Sequence, residues 1–415
     1  MSTNTNTESI AIISQYPFPI GMAATNRIIA YSKGLINSGF NIDIFIQNPL
    51  RHVETLNDDS IAGQYSGINY KYTNGKRPNK YKIIRAVSIL SGYRRLSGYY
   101  KTIRDIKIKH EKNQYHTLIL SSDNIMDLFV YTNLCKTLSI QFVFIFDEYP
   151  IPIRHKLKSK IPAWKETLYK YVLQKVDVYV SISDQLASYY TNLRIKPTFI
   201  LPVITDTTKF DNLIDTAINQ IPQTKNEYIC YMGNMELTKD NVDLIIKAFA
   251  ILVPKHSDLE LHLYGRPNDQ TKLFLNDIII DLKMEEKVFF KGRVSSDDVP
   301  QILKNAKVLV SSQPKTIRAS GGFPTKLGEY LMSGKPSVFS DVGENAKYAK
   351  DKIHAYFVEP LNLEAYADTL NYILNNYQEA LIVAEKGKKM IVENYSHDAM
   401  GKKLALFLKS GQDEK

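Results

Sequence analysis

The chain has 415 residues, 44% hydrophobic and 23% charged, with a formal net charge of +10. This composition excludes a disordered or fibrous chain and predicts a globular protein of two domains with an anionic partner, whether nucleotide, nucleic acid or acidic membrane. Cys135 and Cys230 are the two cysteines, both in apolar surroundings, which excludes a disulfide framework and fits a reducing cytoplasm. No apolar run approaches the roughly 20 residues that span a bilayer. The polar stretch from Met1 to Ser9 is expected to be disordered and carries no apolar signal region.

Along the chain, Ile10 to Ser14 is a short apolar run of the kind that forms a buried parallel strand. A loop from Gln15 to Ala24 contains two prolines and Gly21. Helical periodicity then runs from Thr25 to Ser38, with Gly39 as the C-terminal stop, and a second strand is predicted from Asn41 to Ile46. That opening is a βαβ unit. Strands are predicted again at Leu118–Leu120, Phe142–Phe146, Val178–Ser181 and Phe199–Leu201, and Ser183 reads as a helix N-cap. A break falls from Pro202 to Gln223. A second βαβ series follows, with strands at Tyr228–Tyr231, Leu259–Tyr264, Val288–Phe290, Val308–Ser311 and Pro336–Phe339. The fold class is therefore α/β, with two doubly wound parallel-sheet domains. The expected boundaries are 1–203, a connector at 204–225, 226–395, and a last helix at 396–415. Ligands of such sheets bind beyond the carboxyl ends of the strands, which for two facing domains means the cleft between them.

The segment from Gly321 to Pro336 (GGFPTKLGEYLMSGKP) is the most informative. A turn of Gly322, Phe323 and Pro324 feeds a helix that opens on Thr325 and Lys326. A helix N-terminus presents unpaired N–H groups and the positive end of its dipole, which suits a diphosphate. Glu329 lies about one turn further in, where a carboxylate accepts hydrogen bonds from a ribose diol. The alternative is a capped core helix after a tight turn. After the first strand of the second domain, Gly233 allows close backbone approach and Lys239 offers a point charge for a departing diphosphate.

This segment resembles the nucleotide-sugar signature of the GT-B glycosyltransferases, in particular the large retaining family 4. Glu329 matches the second glutamate of the family's paired-glutamate motif, whereas Gly321 stands where the first is found. The family's Gly-Arg and following Lys are matched by Gly233 and Lys239, with Asn234 in place of the arginine. Arg266, after Gly265, and Arg293 are the two candidates to replace the missing cation. Arg293 and Val294 follow a strand resembling the one that carries the nucleotide base. Pro202, Asp206 and Phe210 match the family's interdomain pattern, and the loop holding Gly21 takes the place of its glycine-rich loop.

The resemblance implies a glycosyltransferase that moves a hexose or related sugar from a nucleotide-diphosphate sugar to a saccharide or lipid-linked acceptor, in bacterial-type surface polysaccharide or glycoconjugate synthesis. It implies retention, an outcome that Gly321 leaves open, and needs neither metal nor cofactor. The catalytic candidates are Lys239, for the departing diphosphate, and Asp147 or Glu148, to orient or deprotonate the acceptor hydroxyl. For the latter two the alternative is a turn cap before Pro150. A nucleotide-sugar epimerase and a degenerate nucleotide-sugar-binding scaffold are the rival readings.

Histidine and cysteine show no metal-ligand spacing, and Asp58–Asp59 and Asp297–Asp298 read as solvated pairs. From Tyr70 to Lys112, basic residues that include Lys71, Arg77, Lys80, Lys82, Arg85, Arg94, Arg95, Lys101 and Arg104 interleave with tyrosine and aliphatics. An anionic membrane surface is the partner this pattern favours, over a solvated face and over nucleic acid, for which no module is present. The expected location is cytoplasmic, peripheral at the inner face of the plasma membrane.

Overall fold

The structure, a computed structural model, describes residues 8–50, 60–75, 87–122, 124–150, 161–211, 226–237, 239–322 and 325–413, without the side chains of 87–95, 318, 320 and 411–413. Arg77, Lys80, Lys82, Arg85, the Asp58–Asp59 pair, Phe323, Pro324 and most of the expected connector and polar N-terminus lie outside the described residues, as do the side chains of Arg94 and Arg95. The chain divides into two units, 1–202 with 397–415, and 203–396. Val203, expected in the first domain, and residues 204–211, expected in the connector, thus lie in the second unit, where Thr205 bridges Ser396.

The first unit is built on strands β1 (Ser9–Ser14), β2 (Asn41–Ile46), β3 (Ala62–Tyr65), β4 (Ile68–Tyr72), β5 (Tyr115–Ser121), β6 (Gln141–Phe146), β7 (Val178–Ser181) and β8 (Thr198–Ile200). Their order is β3-β4-β2-β1-β5-β6-β7-β8. All pairs are parallel except β3 with β4, so the sheet is not purely parallel as expected. That edge hairpin turns at Ser66 and Gly67, with φ of 50° and 81°, the paired positive values of a two-residue hairpin loop. The central strands β1 and β6 are buried along their whole length, which is why they read as unbroken apolar runs.

Helix α1 (Ala23–Asn37) follows β1 and ends as Gly39 takes φ 93° and donates its N–H to the Ile36 carbonyl at 2.9 Å. Helices α2 (Val87–Asn113), α3 (Ile125–Leu138), α4 (Ala163–Leu173) and α5 (Asp184–Leu193) complete the crossovers, and Ser183 caps α5 by accepting the Leu186 N–H at 3.2 Å.

The second unit opens with α6 (Thr208–Asp211), whose first N–H is capped by Asp206. Strands β9 (Tyr228–Met232), β10 (Glu260–Tyr264), β11 (Val288–Gly292), β12 (Val308–Ser311), β13 (Ser337–Ser340) and β14 (Tyr356–Val358) form one sheet in the order β11-β10-β9-β12-β13-β14, with every pair parallel. Between them run α7 (Val242–Leu252), α8 (Asp269–Asp281), α9 (Val299–Asn305), α10 (Ile317–Gly321), α11 (Thr325–Met332) and α12 (Asn345–Tyr348), and α13 (Leu363–Asn375) and α14 (Tyr377–Asn394) close the unit. Its core includes Ile229, Tyr231, Ile245, Phe249, Leu261, Val310, Val338 and Leu370.

The last helix, α15 (His397–Asp413), belongs to the first unit. It lies backbone to backbone on α1, because a Cβ on Gly401 would sit 2.3 Å from the Gly34 Cα and one on Gly34 would sit 2.0 Å from the His397 carbonyl oxygen. In each sheet the winding reverses once, between β1 and β5 and between β9 and β12, and the carboxyl edge at such a reversal is the favoured ligand position.

His262, in β10, is fully buried, stacked on Tyr228, with Nε2 2.7 Å from Glu260 Oε2. Burial lowers its pKa despite the glutamate, so the unfolded chain binds a proton there that the folded one resists. For Glu260, burial acts upward but the bonds from His262 and Asn226 outweigh it and lower the pKa. Both shifts remove stability as the pH falls, His262 first, below about 6.5, and Glu260 further down. Urea midpoints should therefore drop more between pH 7.5 and 5.5 in the wild type than in His262→Gln. Equal drops would show that another group sets the acid limit.

Candidate active site

The carboxyl edge of the second sheet is built on three glycines. Gly233 follows β9 and donates its N–H to the Tyr264 carbonyl at 2.9 Å, and Gly265 follows β10 and donates to the Gly292 carbonyl at 2.7 Å. Gly265 has φ 128°, and a Cβ there would sit 1.8 Å from the Gly233 oxygen. Two strand ends thus touch through bare backbone, which no other residue type permits.

The space beside Gly233 is filled from α11. A Cβ on Gly233 would lie 2.6 Å from Lys326 Nζ and 2.5 Å from the Tyr231 hydroxyl. Lys326 Nζ donates to Asp240 Oδ1 at 2.7 Å and to the Tyr231 hydroxyl at 3.2 Å, and lies 4.4 Å from the centre of the Tyr231 ring. The Asp240 side chain is 3% exposed and that of Lys326 17%, so the lysine is the less covered member of a buried pair. Burial pushes the Lys326 pKa below the usual lysine range. Asp240 acts against that shift, Lys239 adds to it by like-charge repulsion, and Glu329 opposes it more weakly. Lys239, Lys326 and Glu329 are therefore electrostatic neighbours.

Helix α11 is held in place by its own sequence. Tyr330 reaches back so that its hydroxyl accepts the Met232 N–H at 2.9 Å. Gly328 lies against the side chains of Val203 and Thr205, 2.6 and 2.3 Å from where a Cβ would stand. Before the helix, the Ala319 carbonyl oxygen lies 2.6 Å from a Cβ built on Gly343, whose φ is 61°. Loop 312–313 is tied down by the Ser312 carbonyl, which accepts the Asn241 N–H, and by Ser340 Oγ, which accepts the Gln313 N–H.

Of the sequence candidates, the structure brings Gly233, Lys239, Lys326 and Glu329 into one place. Lys239 is exposed on a turn closed by its N–H to the Glu236 carbonyl at 2.8 Å. Asn234, Arg266 and Arg293 are exposed; Thr325, Gly322, Val294 and Glu329 are half-buried. Tyr231 and Asp240 were not singled out from the sequence. Tyr231 is hidden in an apolar strand, and Asp240 sits in the polar stretch before the helix that Asn241 opens. Among the described residues, no group of three or more histidine, cysteine, aspartate or glutamate side chains could hold a metal ion.

The corresponding edge of the first unit is organised by Arg27. Its side chain is buried in α1, with Nε 3.0 Å from Asp147 Oδ1 and its terminal nitrogens donating to the carbonyls of Leu201 and Pro202. Asp147 and Glu148 both follow β6, but Asp147 is engaged by this guanidinium. The loop before α1 is fixed by Tyr72, whose hydroxyl bonds both the N–H and the carbonyl of Phe18 at 2.9 Å. Gly21 sits where a Cβ would fall 2.0 Å from Thr25 Oγ1. Lys101 is exposed on α2, whereas Lys71 is paired with Asp105 at 2.7 Å.

The fold matches that of GT-B glycosyltransferase structures, and the sequence of the second unit matches a family model. Residues 214–390 match the model of the family described as glycosyl transferases group 1. An uncharacterized glycosyltransferase of Methanocaldococcus jannaschii is 24% identical over 180 residues, 43% of this chain and 44% of that protein. The chain thus matches less than half the length of this curated relative. Among solved structures, sucrose-phosphate synthase of Thermosynechococcus elongatus has a TM-score of 0.72 at 15% identity, covering 98% of this chain and 100% of that one. Anabaena HepE in complex with UDP and glucose has a TM-score of 0.68 at 14% identity, covering 97% and 99%. At these identities the likeness is one of fold.

The glycine edge gives a stability test. Gly265→Ala combines a positive φ with a backbone collision and is expected to cost roughly 3 kcal/mol. Gly292→Ala, at φ 76° with open space around it, should cost about 1 kcal/mol from the backbone conformation alone. Urea unfolding of both variants checks the gap; equal losses would mean that the contact with Gly233 relaxes freely.

Proposed function

We propose that the protein is a glycosyltransferase that takes a sugar from a nucleotide-diphosphate donor. The observation that carries this reading is the convergence of Gly233, Lys239, Lys326 and Glu329 at the point where the second sheet reverses its winding, inside the segment of the group 1 family. In this reading Glu329 accepts the ribose hydroxyls. The backbone at Gly322 and Thr325 and the cation of Lys239 receive the diphosphate, and Arg293 and Val294 border the base. Lys239 stabilises charge that grows on the diphosphate as the sugar leaves, an effect that a fixed cation exerts more strongly on the transition state than on the donor. The chemistry needs no metal or cofactor, and retention is the outcome the family resemblance favours. That HepE is seen with UDP and glucose supports a uridine nucleotide as the first donor to try.

The first unit would present the acceptor, a saccharide or lipid-linked hydroxyl of surface polysaccharide or glycoconjugate synthesis. There Arg27 fixes Asp147, and Asp147 or Glu148 would orient or deprotonate the acceptor hydroxyl.

A thermal-shift panel of UDP, GDP, ADP and CMP with their sugar conjugates tests the donor site. A ligand at 100 times its Kd should add about 2.7 kcal/mol of stability. One nucleotide should shift the wild type, and Lys239→Ala and Glu329→Ala should each weaken it about tenfold or more. Labelled sugar recovered on an added acceptor separates a transferase from an epimerase, which returns a changed nucleotide-sugar. A shift without turnover favours the scaffold.

The reading also includes a membrane-peripheral location at the inner, cytoplasmic face. Among the described residues no helix is long and apolar enough to cross a membrane. Helix α2 carries Leu96 (69% exposed), Tyr100 (68%), Arg104 and Ile108 at four-residue spacing, one stripe of a helix, with exposed Lys101 and Lys107 beside it. Exposed apolar side chains flanked by cations suit the surface of an anionic bilayer. Leu96→Glu with Tyr100→Glu should reduce binding to vesicles of phosphatidylglycerol and phosphatidylcholine roughly tenfold, from lost apolar burial, and leave nucleotide binding intact. Unchanged vesicle binding would remove α2 as the contact.

A further inference from the structure

The family pattern has an arginine where this chain has Asn234, so one positive charge is missing from the loop after β9. The structure assigns a replacement. We infer that Lys326 supplies the second cation of the diphosphate site, held against Gly233 by the buried carboxylate of Asp240. This rests on the nucleotide reading proposed above and names a residue and a geometry within it.

Three observations converge on it. First, position. The ammonium occupies the volume that a side chain on Gly233 would fill, so the glycine and the lysine are a matched pair, and any larger residue at 233 would expel the cation. Second, orientation. Of the three ammonium protons, one goes to Asp240 and one to the Tyr231 hydroxyl. The third remains for a further acceptor, next to Lys239 and within a turn of Glu329. Third, asymmetry of burial. A buried ion pair is weak support for stability, because desolvation offsets the attraction. Here the carboxylate is sealed and the lysine is the less covered member of the pair. That arrangement fixes a cation without spending its last donor. A point charge already in place needs no reorganisation when the diphosphate arrives or when charge grows on it. Arg266 and Arg293 are exposed and lack such a mount.

Chemically, the ligand is a nucleoside diphosphate or its sugar ester, and Lys326 touches phosphate oxygen rather than base or ribose. Its removal must therefore weaken the diphosphate and spare the nucleoside. Lys326→Met alone leaves Asp240 buried and unpaired and is liable to unfold the loop. The informative variant is Lys326→Met with Asp240→Asn, which removes both charges and keeps the volumes.

Titration calorimetry with UDP, GDP, ADP and CDP identifies the diphosphate that the wild type binds. Saturation-transfer NMR then measures the matching nucleoside, and both are repeated on the double variant, with circular dichroism as a check on folding. The expected result is at least a tenfold loss for the diphosphate, a change of less than about twofold for the nucleoside, and a shallower dependence of diphosphate affinity on salt. Unchanged diphosphate affinity would overturn the inference and make the pair structural. Equal loss of diphosphate and nucleoside in a folded variant would overturn it as well, because the pair would then shape the pocket rather than bind phosphate. If the wild type binds none of the four diphosphates, the nucleotide reading itself falls, and this inference with it.

Discussion

The second unit is organised around a contact between two backbones. Where β9 and β10 end, the Gly265 position leaves no room for a Cβ because the Gly233 carbonyl is already there. That approach sets the height of the loop carrying Asn234 and Lys239. It also keeps the Gly233 surface bare, and the bare surface is what admits Lys326 from α11. The position of α11 is in turn fixed by Tyr330 on the Met232 N–H and by the closeness of Gly328 to Val203 and Thr205. Glycine therefore serves three separate purposes here: joining strand ends, seating a cation, and seating a helix.

The two units furnish the same edge in parallel ways. Each places a cation from a helix onto a carboxylate at the carboxyl end of its sheet, Arg27 with Asp147 and Lys326 with Asp240. Such pairs contribute little net stability once desolvation is counted. What they fix is geometry. The arginine also binds two carbonyls, a task for a planar fork of donors, whereas the lysine keeps a rotatable donor in reserve.

Most of this architecture was legible in the sequence, because parallel strands buried on both faces leave unbroken apolar runs such as Ile10 to Ile13 and Phe142 to Phe146. The β3–β4 hairpin was not, since Ala62 to Tyr72 is polar and lies at an exposed edge; the Ser66-Gly67 dipeptide was the available signal. Strand β14 has three residues and gives no period to detect. In the site, Gly233, Lys239, Lys326 and Glu329 stood out because they fall in turns and helix starts with recognisable spacing. Asp240 and Tyr231 did not, because their importance comes from a partner 86 and 95 residues away in the chain. Pairings over such distances are decided by how the strands are ordered in the sheet, and a local pattern carries no trace of that.

The chain passes from the first unit to the second at Pro202 and returns at Ser396, and the returning helix lies on α1 through Gly34 and Gly401. During synthesis on a ribosome, the second unit has all its residues before the first one does. Until α15 emerges, the face of α1 around Gly34 lacks its cover, although α1 precedes the whole second unit in the chain. The first unit thus closes this surface only after the whole of the second unit has been made, and the α1 face around Gly34 stays uncovered in the interval.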